Sequence, residues 1–122
     1  MDTEAMVLAD MNGVIRLWSG GAEKMFGYAA SEAVGKTLDL IVPPEYREAH
    51  WTGFRRAVAS GQASVEGTVV PFPAQHASGD VIPRRGRVTL IRGPQTHVVA
   101  AIVVFESLDT ENDTERHRAD HP

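Results

Sequence analysis

The sequence contains no cysteine. Disulfides, thiolate metal sites and chromophores attached through a cysteinyl sulfur, a photosensor's flavin adduct among them, are therefore excluded. Positive charge is also in short supply: 12 Lys and Arg against 16 Asp and Glu leave a formal net charge of −4. That balance argues against a nucleic-acid surface and against an anionic membrane surface. No apolar run approaches the roughly 18 residues of a membrane-spanning helix. The N-terminus lacks the basic-then-apolar pattern of a signal segment, so a cytoplasmic location is expected. No nucleophile–base–acid grouping is visible, and the acidic residues are scattered over turns and helix surfaces; an enzyme is not expected. What is present suits one globular domain. A chain of 122 residues with 43% apolar and 23% charged residues can bury one core and not two.

Two short apolar runs, Met6–Ala9 and Val14–Trp18, flank Asp10-Met11-Asn12-Gly13. Asn-Gly between such runs predicts a β-hairpin. Ser19-Gly20-Gly21 ends the second strand and opens a short helix over Ala22–Phe26, stopped by Gly27, and Ser31–Val34 gives a further helical turn closed by Gly35. The chain turns to strands after Gly61. Ala63–Phe72 reads as a strand with a bulge at Gly67, and Pro71 and Pro73 confine its end to a sheet edge. Gln75–Asp80 is a loop. Val81–Ile91 alternates, with Gly86, Val88 and Leu90 on one face and Arg85, Arg87 and Thr89 on the other. His97–Phe105 is apolar at every position after the histidine, as expected of a central strand covered on both sides; the second cover is a flanking helix, a second copy or a neighbouring domain. Residues 109–122 are charged and read as a linker after a domain spanning 1–108. His117 and His121, four apart in that segment, read as part of a solvated tail.

The longest helix lies in Pro43–Gly61, opened by prolines and closed by glycine. Tyr46, His50, Phe54 and Val58 recur every fourth residue and form one ridge; Ala49, Gly53 and Ala57 form a second ridge of small residues. A helix with aromatics on one ridge and little on the next leaves flat space along its inner face. His50 stands in the middle. Its imidazole is either a core histidine satisfied by backbone or water, or the axial ligand of a flat metallated ring. Trp51 lies about 100° further round the helix and reads as a surface or interface aromatic. Trp18 reads as packing.

Two strands, a run of helices and three strands give an α+β fold: a five-stranded antiparallel sheet with short helices and one longer helix on one face. The run LADMNGVIRLWSGGAEKMFGYAASEAVGK, the later HASGDVIP and the last strand running into ESLDT resemble the PAS sensor family over roughly residues 4–110. Within the long helix, YREAHWTGFRRAVASGQASVEG is similar to haem-binding PAS domains of oxygen-sensing histidine kinases and of a haem-regulated phosphodiesterase. The resemblance implies b-type haem with His50 as its iron ligand. It also implies a diatomic gas as the sensed ligand, a homodimer, and an output domain in the same or a partner chain.

Residue by residue, the resemblance places Arg56 at a propionate-contacting position, with Arg47 and Arg55 as alternatives. It brings Tyr46, Phe54, Val65, Thr68, Val70, Val88 and Leu90 to the cofactor. Relatives that hold oxygen carry an arginine where Val70 stands, and the phosphodiesterase carries a methionine where Thr68 stands. The distal side here is therefore apolar, with Thr68 as a weak donor and Arg84 as an outlying candidate. Bound oxygen needs a donor more than carbon monoxide does, so carbon monoxide or nitric oxide is expected to be favoured. The alternative is a haem-free PAS module for dimerisation or for binding a small metabolite.

Overall fold

The hairpin turn shows how the sequence sets local structure. Asp10 Oδ1 accepts the N–H groups of Asn12 and Val14 at 2.9 and 3.1 Å, and Oδ2 holds Arg16 at 2.9 Å. Such Asx bonds shape the turn that joins β1 (Ala5–Asp10) to β2 (Ile15–Trp18). Ser19 follows and serves two elements: its hydroxyl accepts Ala22 N–H as the cap of α1 (Gly20–Phe26) and Met6 N–H from β1. Gly27 closes α1 in the left-handed conformation at φ 83°. A short α2 (Ala30–Ala33) and 3₁₀ turns at Leu38–Leu40 and Pro44–Tyr46 lead to α3 (Arg47–Ser60). In this computed structural model, which describes residues 4–106, strands β3 (Val69–Gln75), β4 (Val81–Arg92) and β5 (Val98–Phe105) complete the chain. The expected linker at 109–122, with His117 and His121, lies outside the described residues.

The five strands form one antiparallel sheet in the order β2-β1-β5-β4-β3. The uniformly apolar last strand is central, as its composition requires. Strand β3, with Pro71 and Pro73, is an edge, where a missing N–H leaves no ladder bond unmade. The strand expected from Ala63 begins only at Val69. Overlapping turns from Ala63 O to Glu66 N and from Val65 O to Thr68 N occupy the start, and Gly67 at φ 82° bonds Val88 O instead of extending. The same strand runs through Gln75, so the following loop is shorter than predicted.

Ala5, Val7 and Ala9 of β1 are buried while Met6 is exposed, so one face of the sheet carries the core. Phe26 stands at its centre, edge-on to Phe105 at 5.2 Å and tilted against Trp18 at 5.5 Å. Trp18 spends its indole N–H on Tyr28 O at 2.9 Å. On the other face Ile102 and Val104 are half-buried and Leu17 is exposed.

Candidate functional site

Helix α3 has a narrow inward face. Ala57 is its only buried residue among the described ones, and His50, Trp51, Phe54 and Val58 are half-buried. Ala49 and Gly53, expected to line the inner space, are exposed. The helix is rotated so that the covered face is centred between His50 and Trp51. The cause is area: an indole removes far more apolar surface from water than an alanine or a glycine does. Trp51 is thus no surface aromatic. It packs on the main core, 5.5 Å from the Phe54 ring and 4.9 Å edge-on from His50, and donates its Nε1–H to Asp39 Oδ1 at 2.7 Å. Arg47 is also engaged, with Nε on Val42 O at 3.0 Å and Nη2 on Asp39 O at 3.2 Å.

The His50, Trp51 and Phe54 rings form a mutually contacting triangle, and His50 makes no hydrogen bond among the described residues. Its Nδ1 is the one side-chain nitrogen or oxygen among the described residues that is sealed from solvent with no partner. A buried polar atom without a partner costs about 1–3 kcal/mol, so the ring is held there by packing alone. Burial lowers its pKa, opposed by the attraction of the Asp39 carboxylate. The imidazole is therefore neutral at physiological pH, with a lone pair to give.

The far half of α3 covers a second, smaller cluster: Ala57, Leu90 and Val98, with Val58, Ala63, Val88 and Ala101 against it. Its open side is closed by an ion pair. Arg92 grips both carboxylate oxygens of Glu66 at 2.7 and 3.2 Å and the carbonyl of Gly61 at 2.8 Å, while Leu90 N–H donates to Glu66 at 2.9 Å. Those bonds, Arg92's first, hold the Glu66 carboxyl below the ordinary glutamate range.

Of the residues expected to meet a cofactor, Phe54 lies 6.0 Å from the His50 ring. Val88 and Leu90 lie in the cluster beneath Ala57 and Val58, and Val70 stands opposite Gly86 on the inner face of the sheet. Tyr46, Val65 and Thr68 are exposed. Arg56 is exposed and makes no hydrogen bond or ion pair among the described residues; Arg55 is exposed beside it. Trp51, Asp39 and the Glu66–Arg92 pair were not anticipated. The signal for Trp51 was its spacing to Phe54 and Val58, three and seven residues on, which is a helix face in its own right. Nothing local announced Arg92.

These residues suit a haem better than a bare ion. No group of three or more His, Cys, Asp or Glu side chains converges among the described residues, whereas a haem iron takes four ligands from its own ring and needs one imidazole from the protein. A neutral imidazole beside two aromatic rings is compatible with that single-ligand requirement.

The profile of the PAS family (PAS fold) matches residues 3–107. The oxygen sensor protein DosP of Escherichia coli (strain K12) is 34% identical over 61 residues, half of this chain and 8% of that protein. The sensor protein FixL of Bradyrhizobium diazoefficiens is 36% identical over 47 residues, 38% of this chain and 9% of that protein. The matched stretch thus spans under a tenth of the length of either relative. Among solved structures, a PAS domain from Colwellia psychrerythraea superposes with a TM-score of 0.73 at 21% identity, over 87% of this chain and 86% of that one.

Proposed function

We propose that this chain, which belongs to the PAS family of sensory and signalling domains, holds b-type haem through His50 and senses a diatomic gas or redox state. The observation that carries the reading is His50 Nδ1, buried and unpartnered in the first turn of the longest helix. A neutral imidazole in that state is poised for a metal and gains a partner when one arrives. Its resemblance to proteins named as an oxygen sensor and a sensor supports the same reading.

Bound haem would supply an iron with a position open to a gas or a change of oxidation state. The chain's own residues do the rest. Phe54 packs beside the ligand, Arg56 offers a guanidinium with no competing partner to a propionate, and Val70, Val88 and Leu90 form the apolar opposite wall. Tyr46, Val65 and Thr68 are exposed and would lie at the margin of the bound group. A wall without a charged donor favours carbon monoxide and nitric oxide over oxygen. The signal passes to an output domain in the same or a partner chain, as the much greater length of the relatives suggests. The partly exposed apolar side chains on the outer face of the sheet, Met6, Leu17, Ile102 and Val104, support a homodimer.

Titrating the protein with haemin tests this. An intense Soret band that disappears in His50→Ala, with the far-ultraviolet circular dichroism unchanged, is the expected result. A band that survives in His50→Ala removes the ligand assignment. No band in the parent protein leaves a haem-free PAS module that dimerises or binds a small metabolite.

A further inference from the structure

Helix α3 buries one alanine outright and five side chains by half, which is little to fix its rotation about its own axis. A slip of one residue turns the helix about 100° and would carry His50 away from the core. Apolar area selects which face of the helix is covered; a directional contact is needed to fix the angle within that face.

The first turns of α3 are located by Trp51. Its indole N–H reaches Asp39 Oδ1 at 2.7 Å, and its six-membered ring lies against Gly13 in the β1–β2 turn. A Cβ built on Gly13 would fall inside the indole at Cη2 and Cζ3, and Gly13 has φ +79°. Glycine is thus required there both for its backbone and for the ring above it. Seat and acceptor belong to one body. Leu38 N–H donates to Gly13 O at 3.0 Å, and Val14 bridges Thr37, so Gly13 and Asp39 form the two sides of one notch. The indole fits the notch in one orientation, and the preceding residue is His50.

We propose that Trp51 is the positioning residue for His50: seated on Gly13 and bonded to Asp39, it sets the rotation of α3 that turns the imidazole inward. This deepens the haem reading and rests on it for the purpose of the arrangement. The seat itself is a property of the metal-free protein and is tested there.

The probe is diethyl pyrocarbonate, with the modification rate of each histidine followed by mass spectrometry on haem-free protein. His76, at the β3–β4 turn, serves as internal reference. Trp51→Phe and Asp39→Ala should each speed His50 modification by about tenfold, the change in local opening expected from losing one charge-assisted bond. The His76 rate and the circular dichroism should not move. Asp39→Asn keeps an acceptor oxygen and should stay close to the parent. The double variant Trp51→Phe/Asp39→Ala should be close to the faster single one, because both remove the indole–carboxylate bond and the other partner of that carboxylate, Arg47 Nε at 3.9 Å, is an exposed and weak ion pair. Unchanged His50 rates in Trp51→Phe and Asp39→Ala, or additive effects in the double variant, would overturn the proposal. If Trp51→Phe does not fold, Asp39→Ala leaves α3 intact and decides alone. A parent protein with no Soret band refutes the haem reading and leaves this result standing; a normal Soret band with unchanged His50 rates refutes only the seat.

Discussion

Glu66 and Arg92 meet at 2.7 Å across the gap between the α3–β3 turn and β4, and through them the turn is stapled to the sheet. Both side chains are partly covered, and the carboxylate also takes the main-chain N–H of Leu90 in β4, beyond the stretch of that strand paired with β3. The pair therefore fixes backbone on two elements, a stronger arrangement than an isolated surface bridge.

Acid should undo it in a defined direction. The Glu66 carboxyl is held low by Arg92 and by Leu90 N–H, so its contribution is complete above the pKa of a glutamate in the unfolded chain. It is lost as pH falls through the lowered folded value. Glu66→Gln should be less stable than the parent at neutral pH, and the gap should close below about pH 4. Urea titrations at pH 7 and pH 3 measure it; a gap that does not shrink in acid contradicts the assignment.

His50 predicts a second pH dependence in the haem-free protein. Burial lowers its pKa, so the unfolded chain takes up the proton first. Stability should fall as pH drops from about 7 towards 5, and His50→Gln should flatten that part of the curve. Thermal midpoints across this range in parent and variant give the comparison. Equal slopes would mean the ring is not buried.

Val70 is expected to limit oxygen retention in haem-loaded, reduced protein. Val70→Arg adds a charged donor on the inner face opposite Gly86 and should slow oxygen dissociation by about tenfold or more, with little change for carbon monoxide. Stopped-flow measurements of both gases on one preparation test it. Equal slowing of the two would point to a blocked exit instead of a new donor.

Leu90 and Leu17 separate core from outer face. Leu90→Ala, at 6% exposure beneath Ala57, should cost about 2–4 kcal/mol in denaturant unfolding. Leu17→Ala, at 41% exposure, should stay within about 0.5 kcal/mol of the parent monomer. A large loss at Leu17 would indicate that the outer face is covered.

Most of the fold was legible because its signals are local. Asn12-Gly13 marks the hairpin, Gly27 and Gly61 the helix ends, and the two-sided apolar run the central strand. The start of β3 was not legible, since Val65 has the residue type of a strand while Gly67 and the bonds of Glu66 commit that stretch to turns. His50 could be picked out by its place on a ridge, but the rotation of α3 could not. It depends on Trp51 meeting Asp39 and Gly13, twelve and thirty-eight residues away in sequence, and helical spacing alone treated the small-residue ridge as equal to the indole. Arg92 escaped for the same reason: its partner is 26 residues distant.

The pairing of Ala5 with Phe105 has a geometric consequence. Neighbouring strands lie about 4.8 Å apart, so the first residue of β1 and the last residue of β5 stand side by side in the middle of the sheet. Any tilt between these two strands acts on Ala5 and Phe105 together, as a torque on one adjacent pair of strand ends and not as a displacement of one.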